Sequence, residues 1–157
     1  MFMYSNQCYT VRWGGCYSER FFVTNGVPQG RILSPSLFNL YMNDLSVILN
    51  SSRIGCHINN TLINHLFYAD DAVLLATSPL ALQMLLDICS KYADEYELNF
   101  NIKKTKCLIF KPLCFKNCSF PNFYVLGKKI CITNQIKYLG CVITDDYSDC
   151  KDMTRML

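Results

Sequence analysis

Two adjacent aspartates, Asp70 and Asp71, interrupt an apolar run, "HLFYADDAVLLA". An Asp pair alone is common at tight turns, because the short side chains can satisfy backbone N–H groups there. Here both flanks are apolar, so we expect a hairpin that is buried on at least one face, with both carboxylates at its tip. Like charges at reduced dielectric repel strongly unless a cation neutralises them. The pair therefore indicates a divalent metal site of the kind used in nucleotidyl transfer, and Mg²⁺ suits hard oxygen ligands best.

Two helices and several strands must position this hairpin. The segments "CYTVRW" and "RFFVTN" alternate as an antiparallel pair of strands. Ser34 followed by Pro35 predicts a helix start with a capping hydroxyl, and the helix should run to about Leu49. Ser78 and Pro79 repeat this signal for a second helix to about Glu97. The apolar residues expected on the inner face of the first helix are Leu37, Leu40, Tyr41, Leu45 and Ile48.

The remaining apolar segments are short and read as strands. They are "IGCHI", "KCLIF", "NFYVL", "KICIT" and "CVIT", with a hairpin turn expected at "LGKK". The 157 residues suit one compact domain. We therefore predict an α+β fold, a largely antiparallel sheet with two helices packed on one face.

The basic residues are unevenly distributed along the chain. Between Leu98 and Thr144 there is no Asp or Glu but there are eight lysines, Lys103, Lys104, Lys106, Lys111, Lys116, Lys128, Lys129 and Lys137. Interleaved with aromatic residues, this block has the composition of a surface that meets a polyanion. An ordinary solvated lysine face on short strands explains the composition equally well.

The ten cysteines are expected to be free, buried thiols in a reducing compartment. Cys107, Cys131 and Cys141 stand inside apolar segments, where cysteine behaves as a small hydrophobic residue. The N-terminus has no secretory signal pattern, and no apolar run approaches the ~20 residues needed to cross a bilayer. We therefore expect a soluble, intracellular protein, nuclear or cytoplasmic and not secreted, with no membrane partner.

Five motifs in order resemble the palm region of reverse transcriptases, most closely those of non-LTR (LINE-like) retrotransposons. They are "YSNQCYTVRWG", "NGVPQGRILSPSLFNLYMNDL", "FYADDAVLL", "ELNFNIKKTK" and "IKYLGCVI". The resemblance runs from about Tyr4 to Thr144. It implies an antiparallel-sheet polymerase palm, an RNA template, a DNA primer, deoxynucleoside triphosphates and Mg²⁺, with Mn²⁺ as a possible substitute.

The resemblance also implies roles for individual residues. Asp70 and Asp71 match the family's metal-binding pair, and Lys104 matches the lysine that is thought to assist the leaving pyrophosphate. The residues implied in nucleotide and template binding are Gln29, Gly30 and Tyr68. Those implied in primer binding are Tyr138, Leu139 and Gly140.

The family holds its metal ions with a third aspartate, on a strand upstream of the glycine-proline loop. In this chain Glu19 is the one acidic residue before Asn25, and its surroundings read as a turn. Arg31 also departs from the small residue that most relatives carry there. We therefore expect residues 1–157 to be part of a reverse transcriptase domain, without fingers, third-aspartate strand or thumb. Alone it should bind metal weakly and be inactive; the alternatives are a non-catalytic nucleic-acid-binding remnant and translated transposon debris.

Overall fold

A computed structural model describes residues 7–23, 26–111 and 119–146 of the chain. The described part contains two α-helices and short β-strands that pair two by two, which is a mixed α/β structure. The chain divides into two compact units, residues 1–44 and 45–157. The boundary falls inside the first helix.

The first unit contains a long hairpin. Its strands are β1 (Gln7–Tyr9), β2 (Arg12–Trp13), β3 (Cys16–Tyr17) and β4 (Phe21–Val23). β1 pairs antiparallel with β4, and β2 with β3. Gly14 and Gly15 close the tip with φ of 54° and 90°, a left-handed conformation that glycine adopts without a Cβ clash. The predicted pairing of "CYTVRW" with "RFFVTN" is confirmed.

The first helix, α1 (Ser34–Ser51), lies where the sequence predicts it and is slightly longer at both ends. Ser34 is the first residue of α1, and its hydroxyl donates a hydrogen bond to the carbonyl oxygen of Pro28 at 2.5 Å. The predicted apolar face is largely wrong: of its five residues only Leu45 is buried, and Leu40, Tyr41 and Ile48 are exposed. Leu49, which was not predicted to face inward, is buried instead.

The second helix, α2 (Pro79–Glu95), begins as predicted. The Ser78 hydroxyl accepts a hydrogen bond from the N–H of Ala81 at 3.2 Å, and Pro79 occupies the first turn, where its missing N–H costs nothing. The helix ends two residues before the predicted Glu97. Its buried residues follow the expected helical spacing: Leu85, Leu86, Cys89, Tyr92 and Ala93.

The other strands of the second unit are short. They are β5 (Cys56–Ile58), β6 (Thr61–Ile63), β7 (His65–Tyr68), β8 (Asp71–Leu74), β9 (Lys106–Leu108), β10 (Tyr124–Val125), β11 (Lys128–Lys129), β12 (Cys131–Thr133), β13 (Gln135–Tyr138) and β14 (Cys141–Thr144). Four antiparallel hairpins join β5 to β6, β7 to β8, β10 to β11 and β13 to β14. The turn predicted at "LGKK" is confirmed.

The expectation of one largely antiparallel sheet is met only by the separate hairpins. Each described strand pairs with a single partner, and the ladder between β9 and β12 is parallel. The long connection between these two strands, which includes the β10–β11 hairpin, allows the chain to return in the same direction. Strands of two to four residues also make few ladder hydrogen bonds, which leaves side-chain packing to organise the unit.

That packing centres on one apolar group, called here the core cluster: Leu86, Cys107, Phe123, Val125 and Ile130. Leu74, Leu82, Phe100, Ile102, Ile109 and Leu126 pack against it. The cluster therefore gathers α2, β8, β9 and the β10–β11 hairpin around a single interior.

The cysteines that the structure describes are free thiols. Cys89 and Cys107 are buried; burial raises the pKa of the Cys89 thiol to about 12 and also raises the pKa of the Cys107 thiol. The prediction of a buried, apolar environment is wrong for Cys131 in β12 and Cys141 in β14, which are exposed, as are Cys8 and Cys16. Neither helix of the described ranges is long and apolar enough to cross a membrane.

Candidate active site

Asp70 and Asp71 lie at the tip of the β7–β8 hairpin. The register pairs His65 with Leu74 at the open end and Tyr68 with Asp71 at the closed end. Ala69 and Asp70 therefore form a two-residue turn, and Asp71 is the first residue of β8. The two carboxylates therefore belong to consecutive residues at the turn end of the hairpin.

This turn differs in backbone conformation from the other two-residue hairpin turns that the structure describes. In those turns both residues have positive φ: Gly14–Gly15, Asn59–Asn60, Leu126–Gly127 and Leu139–Gly140. In the aspartate turn, Ala69 has a φ of 50° and Asp70 is not in the positive-φ region. Positive φ at the first position alone is the sign pattern of a type II′ turn, whereas positive φ at both is that of type I′.

The predicted burial of the hairpin is only partly correct. Phe67, Val73 and Leu74 are half-buried, but Asp70 and Asp71 are exposed and Tyr68 is 63% exposed. One face of this two-stranded hairpin packs against the rest of the unit, and its tip is exposed to water. Water screens the repulsion between the carboxylates, so the low dielectric that we expected around them is absent.

The open end of the hairpin is anchored in the unit. Leu74 of β8 packs against the core cluster, as does Ile102, which precedes Lys103 and Lys104. The same apolar interior therefore supports both the aspartate hairpin and the segment that carries the predicted catalytic lysine.

Lys104 lies in a turn that Asn101 organises. The Asn101 carbonyl oxygen accepts hydrogen bonds from the N–H groups of Lys104 and Thr105, at 3.0 and 2.9 Å. The Thr105 hydroxyl donates to the same oxygen at 3.0 Å. Lys104 is exposed at this turn, so its ammonium group is presented to solvent by a fixed backbone.

Gln29 and Gly30 belong to the first unit, in the loop before α1. Gly30 has a φ of 84°, which a residue with a Cβ rarely adopts. The hydrogen bond between Ser34 and Pro28 closes this loop against the helix start. The loop borders a cavity of about 310 Å³ lined by Gln7, Tyr9, Phe21, Val23, Gly26, Val27, Pro28 and Gln29.

The predicted primer-binding residues form the β13–β14 turn. Tyr138 pairs with Cys141, and Leu139 and Gly140 turn the chain with φ of 45° and 92°. The Leu139 side chain is 51% exposed. Its positive φ is also uncommon for a residue other than glycine. The turn presents a small apolar tip.

The lysine block is accessible along its described length. Six of its lysines are exposed: Lys103, Lys104, Lys106, Lys128, Lys129 and Lys137. Lys111 is half-buried, with its ammonium 5.9 Å from the ring centre of Phe120. Lys116 lies outside the described residues. The sequence could not distinguish a binding surface from a solvated face here, and exposure is compatible with both.

The donor set around the aspartates is small. Over residues 7–23, 26–111 and 119–146, no group of three or more His, Cys, Asp or Glu side chains could hold a metal ion. The structure therefore brings Asp70 and Asp71 together, while Lys104 occupies a separate turn of the same unit and Gln29 and Gly30 belong to the other unit.

Three residues near the hairpin were not predicted to matter. Asn64 is buried, and hydrogen bonds connect it to His65, which in turn contacts Ser46. The signal available in the sequence was a polar pair, "NH", inside the apolar run "LINHLF". A buried Asn is costly unless its amide is fully hydrogen-bonded, so this pair could have been identified as a structural contact.

Comparison with known proteins shows which family this sequence resembles. Residues 2–143 match the family model described as reverse transcriptase (RNA-dependent DNA polymerase). The chain is 36% identical over 136 residues to the "Retrovirus-related Pol polyprotein from type-2 retrotransposable element R2DM" of Drosophila melanogaster. It is 29% identical over 142 residues to the "RNA-directed DNA polymerase from mobile element jockey" of Drosophila funebris.

These matches cover most of this chain but little of the relatives. They include 83% of the chain and 13% of the first protein, and 86% of the chain and 15% of the second. A third relative is the "Retrovirus-related Pol polyprotein from type-1 retrotransposable element R2" of Popillia japonica, 29% identical over 81% of the chain and 22% of its own length. All three come from non-LTR retrotransposons.

Proposed function

This chain belongs to the reverse transcriptase family, and on that premise we propose that it forms the metal-binding part of the palm of an RNA-directed DNA polymerase. The observation that carries the proposal is the placement of Asp70 and Asp71. They lie on consecutive residues at the exposed tip of a hairpin whose other end packs against the core cluster. An exposed, anchored carboxylate pair can meet substrate without a change in the surrounding fold.

The donor set suits a hard divalent cation. Two carboxylates leave most positions of an octahedral Mg²⁺ open for water and phosphate oxygens, which is how this ion is commonly bound in phosphoryl-transfer sites. The reverse transcriptase family uses divalent metal ions. When bound, such ions stabilise the charge that develops on the attacking and leaving oxygens of an in-line phosphoryl transfer.

The protein's own residues would orient the reactants. Lys104, presented by the Asn101 turn, would donate a proton to the leaving pyrophosphate. The Gly30 backbone allows close approach of the incoming nucleotide, with Gln29 beside it. Tyr68, exposed next to the aspartate turn, would contact the nucleotide or the primer end.

The β13–β14 turn would hold the primer strand. Leu139 at its tip can pack against a sugar face, and Tyr138 and Gly140 flank it. The partners proposed for the domain are accordingly an RNA template, a DNA primer and deoxynucleoside triphosphates.

A two-carboxylate site should hold Mg²⁺ weakly by itself. The described residues supply no third acidic ligand to the pair. We therefore propose that residues 1–157 alone do not extend a primer, with either Mg²⁺ or Mn²⁺, and that the third ligand is supplied in the family by another strand.

Paramagnetic Mn²⁺ tests the site directly in the 157-residue chain. At substoichiometric Mn²⁺, the amide resonances of residues 68–72 should broaden before those elsewhere, and Asp70→Asn should remove that selectivity. The matched control is Asp145→Asn, because Asp145 and Asp146 are a second adjacent pair, at the end of β14. Broadening at the hairpin that survives Asp70→Asn would refute the metal site.

A second candidate function is nucleic-acid binding without catalysis. The exposed lysines of the block favour it, since they present positive charge with no acidic residue between Leu98 and Thr144. The two functions separate by metal dependence. Binding that ignores Asp70→Asn and chelator, together with failure of the Mn²⁺ experiment, would leave the binding module as the better account.

A further inference from the structure

Asn64 connects the β7–β8 hairpin to the end of α1. It lies between β6 and β7 and is 1% exposed. Its side-chain amide nitrogen donates to the carbonyl oxygen of Leu49 at 2.7 Å and to that of Ile54 at 2.8 Å. The first acceptor lies in the last turn of α1 and also accepts from the N–H and the hydroxyl of Ser52, at 3.3 and 2.6 Å; the second lies just beyond the helix.

These two bonds fix the orientation of the Asn64 amide. Carbonyl oxygens only accept, so the nitrogen must face them and Oδ1 must face the other way. Oδ1 lies 2.7 Å from Nδ1 of His65, and since an amide oxygen cannot donate, Nδ1 carries the proton. In the neutral ring Nε2 is then an acceptor, and the Ser46 hydroxyl donates to it at 2.7 Å. Burial lowers the pKa of His65, which favours this neutral form.

The backbone of Asn64 completes the connection. Its carbonyl oxygen accepts a hydrogen bond from the N–H of Leu75 at 2.8 Å, which closes the hairpin beyond its last ladder pair. Gly55 packs against the same residue so closely that a Cβ there would lie 2.3 Å from the Asn64 Cβ. The base of the hairpin is thus held on both strands.

We propose that Asn64 and His65 are positioning residues for the Asp70–Asp71 pair. They hold the base of the hairpin on α1, so that its tip keeps the two carboxylates in one orientation for metal. The inference rests on the proposed function and adds to it a support that acts from the opposite end of the hairpin. Hydrogen-bonded residues behind metal ligands commonly control affinity in this way.

The order of groups, Ser46 to His65 to Asn64, also matches a nucleophile, base and orienting residue. Ser46 lies inside α1, where the neighbouring backbone N–H groups are engaged in the helix. Such a hydroxyl has no adjacent N–H pair to stabilise an oxyanion. The geometry therefore points to a structural use of this chain of hydrogen bonds.

The test measures Mn²⁺ affinity of the 157-residue chain by titration of the free-ion EPR signal, with amide hydrogen exchange of residues 65–75 recorded in parallel. His65→Leu removes the hydrogen bonds of the ring with Asn64 and Ser46. We expect the Mn²⁺ affinity to fall about tenfold and amide hydrogen exchange in the hairpin to become faster. His65→Asn keeps a donor near the position of Nδ1 and should recover most of the affinity. Cys89→Ala, which removes a buried sulfur from α2, controls for general loss of stability and should leave affinity unchanged.

Each outcome supports or refutes the positioning role of Asn64 and His65. The inference stands if His65→Leu weakens Mn²⁺ binding, His65→Asn restores it and Cys89→Ala does not weaken it. It falls alone if Asp70→Asn weakens binding but His65→Leu does not, or if Cys89→Ala weakens binding as much as His65→Leu. It falls together with the proposed function if wild type and Asp70→Asn bind Mn²⁺ equally.

Discussion

Tyr68 and Asp71 face each other as the last cross-strand pair of the aspartate hairpin, so Ala69 is the residue that starts the turn. A φ of 50° is costly for alanine, about 1 kcal/mol or more relative to glycine. The turn that carries the proposed metal ligands is thus slightly strained.

Substitutions at Ala69 should reveal this strain. Ala69→Gly relieves the Cβ contact but adds freedom to the unfolded chain, so we expect a net gain of about 0.5 kcal/mol. Ala69→Val should lower the free energy of unfolding by more than 1 kcal/mol, because β-branched residues tolerate positive φ least. Urea denaturation measures both, and equal stability of all three proteins would contradict the turn geometry.

The exposure of the aspartates predicts a small effect of neutralising one of them. In chelator, Asp70→Asn should change the free energy of unfolding by less than about 0.5 kcal/mol, as is usual for a surface substitution. With Mg²⁺ at millimolar concentration, the melting temperature of the wild type should rise and that of Asp70→Asn should not. Melts in the two conditions decide; a large loss of stability in chelator would make Asp70 a structural turn residue instead.

The half-buried imidazole of His65 should make the protein less stable in mild acid. Burial lowers the pKa of His65 in the folded state, so the unfolded state binds more protons as pH falls below the ordinary value of about 6.5. This destabilisation is absent above that pH and grows below it. His65→Asn should therefore lose less stability between pH 7 and pH 5 than His57→Asn, which removes an exposed imidazole from β5. Equal losses in the two variants would show that His65 is not the group concerned.

The lysine block should bind nucleic acid through phosphate contacts. We expect weak binding to primer-template whose affinity falls steeply with salt. Lys103→Gln with Lys104→Gln should weaken it and reduce the salt slope by up to about 2. The matched control is Arg53→Gln with Lys91→Gln, exposed basic residues outside the block. Fluorescence anisotropy at several salt concentrations is the measurement, and equal slopes for the two double variants would make the block an ordinary solvated face.

Local signals in the sequence predicted much of the fold. Ser78 and Pro79 locate the start of α2 because capping chemistry is confined to neighbouring residues. The "LGKK" turn was likewise predictable, because a two-residue hairpin depends on few positions. The parallel pairing of β9 with β12 was not, since it depends on how separate hairpins pack around the core cluster.

The site shows the same division. The adjacent carboxylates between apolar flanks identified the hairpin. They did not show that its tip is exposed, because the sequence pattern indicates which way side chains point but not how far the rest of the protein extends over them. Asn64 and His65 were overlooked because their partners, Leu49 and Ser46, lie 15 and 19 residues away in sequence. Contacts at such distances arise from tertiary packing.

The most direct test of the central claim restores the rest of the polymerase domain. Fingers and the strand with the third aspartate, taken from a close relative, are fused ahead of Tyr4, and the relative's thumb is fused behind Thr144. The chimera should extend a DNA primer on an RNA template with Mg²⁺, and Asp70→Asn should lower the rate by orders of magnitude, because it removes a ligand that acts in the transition state. As a control, Asp94→Asn, which removes an exposed carboxylate from α2, should leave the rate unchanged. Extension that persists undiminished in the Asp70→Asn chimera would contradict the assignment of Asp70 and Asp71 as the metal-binding pair.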